Sequence, residues 1–297
     1  MYIIVGGSGF LGLYMVKNIL EKTQDEIVAT YFPEKPSYKH ERLVWFECNV
    51  KEQKYIDLLN EKYADRNPKI IYLAAYPSPD FCEKDPVEAW NLNVTALANF
   101  VNQVKNPKCL YFASTDVTYG EGKFGEKFKE NSPYNPSNSY GRHKVLGEQL
   151  VLAKGFNVFR LPLMMNKSLV DGKKHFFDII CETLSSGKEI EMFKDSYRSI
   201  LSFNQCAGFV IDLIEKYGSC EEKIINLASD EPISKVDLAE QICDMYGYDK
   251  NLIKPISVSE DNQIFSAKRA AYTAMDNTKL KKLLNIDSIK LSFKEEK

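Results

Sequence analysis

Tyr140 and Lys144 stand four residues apart in Asn138-Ser139-Tyr140-Gly141-Arg142-His143-Lys144. On a helix, residues at that spacing share a face. A free phenol ionises near pH 10. An ammonium beside it favours the phenolate, so such a pair could exchange a proton near neutral pH. Upstream, Ser114-Thr115-Asp116 offers two hydroxyls that could hold a carbonyl oxygen and stabilise negative charge growing on it. Near the start lies Gly6-Gly7-Ser8-Gly9-Phe10-Leu11-Gly12, a G-x-x-G-x-x-G spacing. Gly6 suits a tight turn, Gly9 lets backbone approach a pyrophosphate, and Gly12 allows close helix–strand packing.

These groups converge only if the elements around them form one sheet. Residues 2–5, 27–31, 43–46, 70–73, 109–113 and 157–161 are short apolar runs rich in β-branched and aromatic side chains, and they predict strands. Between them, residues 11–21, 53–63, 87–104 and 140–153 predict helices. Strand and helix alternating at this spacing predict an α/β, Rossmann-like doubly wound parallel sheet. Ligands of such sheets bind at the carboxyl ends of the strands, where the glycine loop, Ser114 and Thr115 fall. Past Pro162 the rhythm changes. Helices over 175–186, 205–217 and 235–246, with short extended pieces at 223–227 and 251–255, predict a smaller α/β lobe. The expected division is therefore 1–162 for the nucleotide-binding domain and 163–297 for the substrate lobe, with the chain free to cross between them.

Composition narrows the class. Hydrophobic residues make up 44% and charged residues 27%, which excludes disorder. Net charge is −2 without a basic cluster, so nucleic acid is not the expected partner. No apolar run approaches the ~20 residues that span a bilayer, and the start lacks the pattern of a signal peptide. Seven scattered cysteines with no C-x-x-C pair, and only three histidines, predict reduced thiols and no zinc site. The expected location is cytoplasmic.

The end of the second strand bears on the nucleotide. A carboxylate there would hydrogen-bond ribose hydroxyls and repel a 2′-phosphate. This strand ends Thr30-Tyr31-Phe32-Pro33, with no acid before Glu34, while Lys35, Lys39 and His40 follow closely. NADP(H) is favoured over NAD(H), and a merely solvated loop is the alternative for those cations.

With these residues in place, the chain resembles the extended short-chain dehydrogenase/reductase family, and within it the dTDP-4-dehydrorhamnose reductase type. The matching residues are the glycine loop, Leu73-Ala74-Ala75, Asn93-Val94-Thr95, Ser114-Thr115-Asp116 with Tyr119-Gly120, and Tyr140 to Lys144. Arg198-Ser199-Ile200-Leu201-Ser202 also looks like the family's arginine-bearing segment for a nucleotide sugar. The resemblance implies reduction of a keto sugar by hydride transfer, the expected substrate being a nucleoside-diphosphate 4-keto-6-deoxysugar. Thr115 would hold the carbonyl, Tyr140 would give the proton, and Lys144 would assist Tyr140 and hydrogen-bond the nicotinamide ribose. Gly6, Gly9, Phe10, Leu11, Gly12, Tyr31, Asn49, Val50, Leu73, Ala74, Ala75 and Asn93 would line the cofactor. Tyr76, Thr115 and Arg198 would meet the substrate, and a homodimer is implied.

The chain also departs from the family. Asn49 stands where an Asp usually meets adenine. Val117 stands where the related 4,6-dehydratases carry a Glu, and an apolar side chain cannot supply their second acid/base step. Two alternatives stay open: an epimerase with bound NAD, and a non-catalytic, cofactor-sensing member of the fold. Arg198 has a surface ion pair as its alternative. Asp80, Glu83 and Asp85 are read as the start of a helix rather than a metal site, and Phe176-Phe177 as packing within the smaller lobe.

Overall fold

The structure is a computed structural model in which residues 1–258 and 265–293 are described. The segment 294–297, expected to be a frayed tail, lies outside them. Six strands arise where the apolar runs predict them: β1 (Tyr2–Val5), β2 (Ile27–Tyr31), β3 (Leu43–Glu47), β4 (Lys69–Tyr72), β5 (Cys109–Thr115) and β6 (Asn157–Leu161). A seventh, β7 (Ile224–Asn226), pairs parallel with β6. The sheet order is β7-β6-β5-β4-β1-β2-β3, all parallel. The short extended piece expected in the smaller lobe thus completes the main sheet. Its sequence alone, three residues long, carries no sign of which sheet it joins.

Helices cover both faces. They are α1 (Phe10–Lys22), α2 (Gln53–Tyr63), α3 (Pro79–Lys84), α4 (Pro86–Trp90), α5 (Leu97–Gln103), α6 (Ser139–Ala153), α7 (Phe176–Ser185), α8 (Phe203–Tyr217), α9 (Lys235–Tyr246) and α10 (Thr278–Leu284). One core layer joins Tyr14, Met15 and Ile19 of α1 to Val210, Ile211 and Ile214 of α8 under the sheet. On the other face, Ile56 and Leu59 of α2 and Leu97 and Phe100 of α5 pack against Val5, Ile70 and Phe112. The alternating strands bury side chains both ways, as a sheet covered on two faces requires.

The helix expected over 87–104 is interrupted. Asn91–Ala96 winds as a π-turn between α4 and α5. One residue in excess of the α-helical repeat widens that turn and re-aims Asn93, a local change frequent at functional sites.

The smaller lobe has its own core of Phe177, Ile180, Met192, Leu238 and Ile242, with Phe177 buried as expected. The strand Tyr197–Arg198 lies between Ile233–Ser234 and Tyr272–Thr273. Ile190–Phe193 pairs with Ile253–Ile256. Six of the seven free cysteines are buried. Among the described residues, no helix is long and apolar enough to cross a membrane.

Candidate active site

The glycine loop is held from both sides. The Gly6 N–H donates to Thr30 Oγ1 at 2.8 Å and the Ser8 N–H to the Thr30 carbonyl at 3.2 Å. Across the sheet, the Leu73 and Ala74 N–H groups both donate to the Val5 carbonyl. Gly6 adopts φ +88°, and a Cβ there would sit 2.8 Å from Ala74 N. A Cβ at Gly12 would sit 2.5 Å from the Gly6 and Gly7 carbonyl oxygens. Gly9 differs, since a Cβ would meet only the Gly6 oxygen, at 3.4 Å. Gly9 also caps α1 with no side-chain hydrogen bond and no acid in the first turn. That leaves N–H groups and the positive end of the helix facing the loop's open side, which fits a dinucleotide pyrophosphate. Gly12→Ala is expected to lose cofactor binding and to lower the melting temperature, whereas Gly9→Ala should keep the fold. Thermal melts of both variants, with and without NADPH, check this contrast.

The residues assigned to the cofactor divide by what they touch. Leu73, Ala74 and Ala75 follow β4 directly beside Gly6. Leu11 is buried in the core, and the Phe10 ring turns toward the smaller lobe, edge-on to His175 at 5.1 Å. Tyr31 is half-buried at the end of β2, beyond which Glu34, Lys35 and Lys39 are exposed. His40 accepts from the Arg42 N–H, and Arg42 donates to the Leu20 and Thr23 carbonyls at the end of α1. Lys35 and Lys39 of that loop have no ion-pair partner among the described residues. Asn49 donates to Glu52 at 2.8 Å, and Val50 is buried.

Asn93 clamps the segment after β4. Its Oδ1 accepts from the Tyr76 N–H at 2.8 Å and its Nδ2 donates to the Tyr76 carbonyl at 3.2 Å. The Tyr76 hydroxyl in turn donates to Glu88, at 3.1 Å. The acidic trio nearby is engaged: Asp80 with Arg269, Glu83 accepting from the Ser139 N–H, and Asp85 from the Glu88 N–H.

At the end of β5 successive side chains leave on opposite faces. Ser114 donates to buried Glu148. Thr115 points the other way, its Oγ1 3.0 Å from Asp116 Oδ1 and 3.3 Å from the Val117 N–H. Asp116 is fully buried and accepts from Arg198 and, at 3.0 Å, from Thr273. Arg198 spends its Nε and Nη2 on that carboxylate, so one edge of the guanidinium ties the smaller lobe to the residue after Thr115. The sequence reading assigned no role to Asp116. Its signal, an acid directly after the candidate hydroxyl, was visible, but its partners lie 82 and 157 residues away.

Asn138 starts α6 by accepting from the Gly141 N–H at 2.9 Å, which turns Tyr140 and Lys144 onto the buried side. Lys144 Nζ donates to the Ala113 carbonyl at 2.7 Å and lies 5.9 Å from the Tyr140 ring centroid. Burial lowers the Lys144 ammonium to a pKa of about 7, against a smaller opposing pull from Glu148. Burial, reinforced by Asp116, raises the Tyr140 phenol well above its usual range. The expected depression of the phenol by its lysine does not govern this arrangement: desolvation does, and the opposing pull comes from Arg198.

The sequence profile of the RmlD substrate binding domain matches residues 1–294. The chain belongs to this family. It is an extended short-chain dehydrogenase/reductase of the RmlD type, a class of NAD(P)-dependent oxidoreductases. Among characterised relatives, it is 27% identical over 267 residues to a probable low-salt glycan biosynthesis reductase, Agl14, of Haloferax volcanii, covering 84% of this chain and 82% of the relative. It is 22% identical over 286 residues to methionine adenosyltransferase 2 subunit beta of Xenopus tropicalis, covering 95% and 81%. A crystal structure of a hypothetical dTDP-4-dehydrorhamnose reductase from Sulfolobus tokodaii superimposes with a TM-score of 0.80 at 25% identity, covering 99% of this chain and 98% of that one.

Proposed function

We propose that this RmlD-family protein reduces the keto carbon of a nucleoside-diphosphate sugar, with a 4-keto-6-deoxysugar as the expected substrate. The observation that carries the reading is the placement of Tyr140 and Lys144 on the buried side of α6, against the end of β5 and at the same edge of the sheet as the glycine loop. NAD(P)H, when bound, supplies the hydride.

The protein's own groups handle the oxygen. Thr115 turns its hydroxyl from Asp116 to the substrate carbonyl and stabilises the charge forming there. Ser114 is unsuited to that task, being committed to Glu148 on the other face. Tyr140 is a neutral phenol at neutral pH and gives its proton to the nascent alkoxide. Lys144, with a pKa of about 7, holds positive charge near the phenolate that remains and exchanges protons readily at neutral pH. Asn93 positions Tyr76 beside this space. Exposed Lys35 and Lys39, with no acid before Glu34, support NADPH as the reductant. Exposed Val87 and Trp90 on α4 support a homodimer through this face.

A panel of keto sugars bearing UDP or dTDP, assayed for loss of reduced-nicotinamide absorbance with NADH and NADPH, tests the reading. Stoichiometric consumption of reduced cofactor is expected; sugar interconversion without net consumption would make the protein an epimerase. The likeness to a transferase subunit favours a second reading, a non-catalytic member of the fold. That reading requires cofactor binding with no turnover anywhere on the panel.

A further inference from the structure

The segment 266–273 of the smaller lobe runs along the main sheet and its helices, and four side chains there hold it in succession. Asp80 of α3 accepts from the Ser266 hydroxyl at 3.1 Å, from the Ala267 N–H at 2.9 Å and from Arg269. Asn138 donates its Nδ2 to the Lys268 carbonyl at 2.9 Å. Glu121 accepts from the Ala271 and Tyr272 N–H groups at 2.8 and 3.0 Å. Asp116 takes the Thr273 hydroxyl at 3.0 Å. Partners in this series stand between 130 and 189 residues apart along the chain.

Three of these anchors adjoin the candidate site. Asp116 follows Thr115 directly. Asn138 is two residues ahead of Tyr140, and Asp80 is two ahead of Cys82, which packs against the Tyr140 ring. Asn138 is 2% exposed, and both ends of its amide are used. Its Oδ1 caps α6 through the Gly141 N–H, while its Nδ2 reaches Lys268. A cap needs only the oxygen, which serine supplies about as well. The amide nitrogen therefore has a second task, joining the first turn of α6 to the smaller lobe. A phenol that must meet a substrate oxygen is sensitive to such an anchor, since a displacement near 1 Å costs about 10²-fold in rate.

We propose that Asn138 is a positioning residue for Tyr140: with Asp80 it straps segment 266–269 across α3 and the start of α6, and so fixes the phenol relative to the sugar that the smaller lobe presents. The assignment rests on the reading of Tyr140 as the proton donor. Asn138 reaches the reacting atoms only through Tyr140, and Asp80 acts only through the strap. Backbone groups of residues 267, 268, 271 and 272 are all bonded to these side chains, so the strap cannot shift without breaking several hydrogen bonds at once.

The test compares the full wild-type chain with Asn138→Ser, Asp80→Ala and the double variant. Serine keeps the cap oxygen and loses the amide that reaches Lys268. Single-turnover reduction of a keto sugar should slow about 10-fold in each single variant, with NADPH affinity unchanged. Asp80→Asn, with the same shape and a weaker hold on Arg269, should give a smaller loss in the same direction. In the double variant the loss should be no greater than in the worse single one, because both changes cut the same strap. Amide hydrogen exchange, read without substrate, should quicken at Gly141 in Asp80→Ala, although the substitution lies outside α6. Wild-type rates in Asn138→Ser would overturn the proposal. So would losses that multiply in the double variant, or an unchanged Gly141 amide in Asp80→Ala, since either marks independent structural contacts. Faster Gly141 exchange in Asp80→Ala of a protein that reduces no keto sugar would uphold the strap and remove the reductase reading.

Discussion

Tyr140→Phe is expected to lower kcat for keto-sugar reduction by about 10³-fold, within the range that a positioned proton donor supplies. NADPH affinity and the melting temperature should be unchanged. The hydroxyl that is removed makes no hydrogen bond to any described residue, although the ring is buried with Cys82 and Ala89. Phenylalanine fills the same space, so packing is kept and only the proton donor is lost. Tyr119 provides the contrast. Its hydroxyl donates to Asn226 at 2.7 Å and accepts from Arg160, so Tyr119→Phe should cost stability rather than chemistry. Single-turnover kinetics with NADPH, run beside thermal melts of both variants, separates the two behaviours. Full turnover in Tyr140→Phe would remove the proposed donor and, with it, the catalytic reading of α6.

The residues of this candidate site could be read along the chain because their signals are local. A helix carries Tyr140 and Lys144 on one face through backbone geometry alone, and Gly6, Gly9 and Gly12 announce a turn through the side chains they lack. The strands of the main sheet show as apolar runs because they are buried on both faces. What stayed hidden depends on pairs distant in sequence. Asp116 and Arg198 are each ordinary until strand pairing in the smaller lobe brings them together. Strand β7 has three residues and finds its place only by pairing with β6. The π-turn at Asn91–Ala96 carries Asn93, which bonds Tyr76 17 residues away, and no spacing rule reveals it. Lys235 looks like any solvated lysine until the fold lays its ammonium over the rings of Phe176 and Phe193.

Arg160→Met should lower the free energy of unfolding by about 3–5 kcal/mol, the cost of leaving a buried charge without its partner. Arg160 and Glu148 are both buried, with exposures of 1% and 0%. The guanidinium Nη2 meets Glu148 Oε2 at 2.7 Å, and Nε lies 3.0 Å from Oε1. Ser114 and Tyr134 also donate to this carboxylate, and the Arg160 Nη1 donates to the Tyr119 hydroxyl and to the Glu130 carbonyl. The pair therefore locks α6, β5 and β6 together beneath the candidate site, with Glu148 one turn beyond Lys144. Removing the arginine strands the carboxylate, whereas Glu148→Met with Arg160→Met removes both charges and should recover much of the loss. Urea titrations of the two single variants and the double variant measure that coupling. Because Ser114 faces Glu148 while Thr115 leaves the strand on the opposite side, the double variant should also keep reductase turnover at temperatures where it stays folded. A double variant that is folded but inactive would show instead that the network under the sheet sets the chemistry above it, through the pull of Glu148 on the Lys144 ammonium.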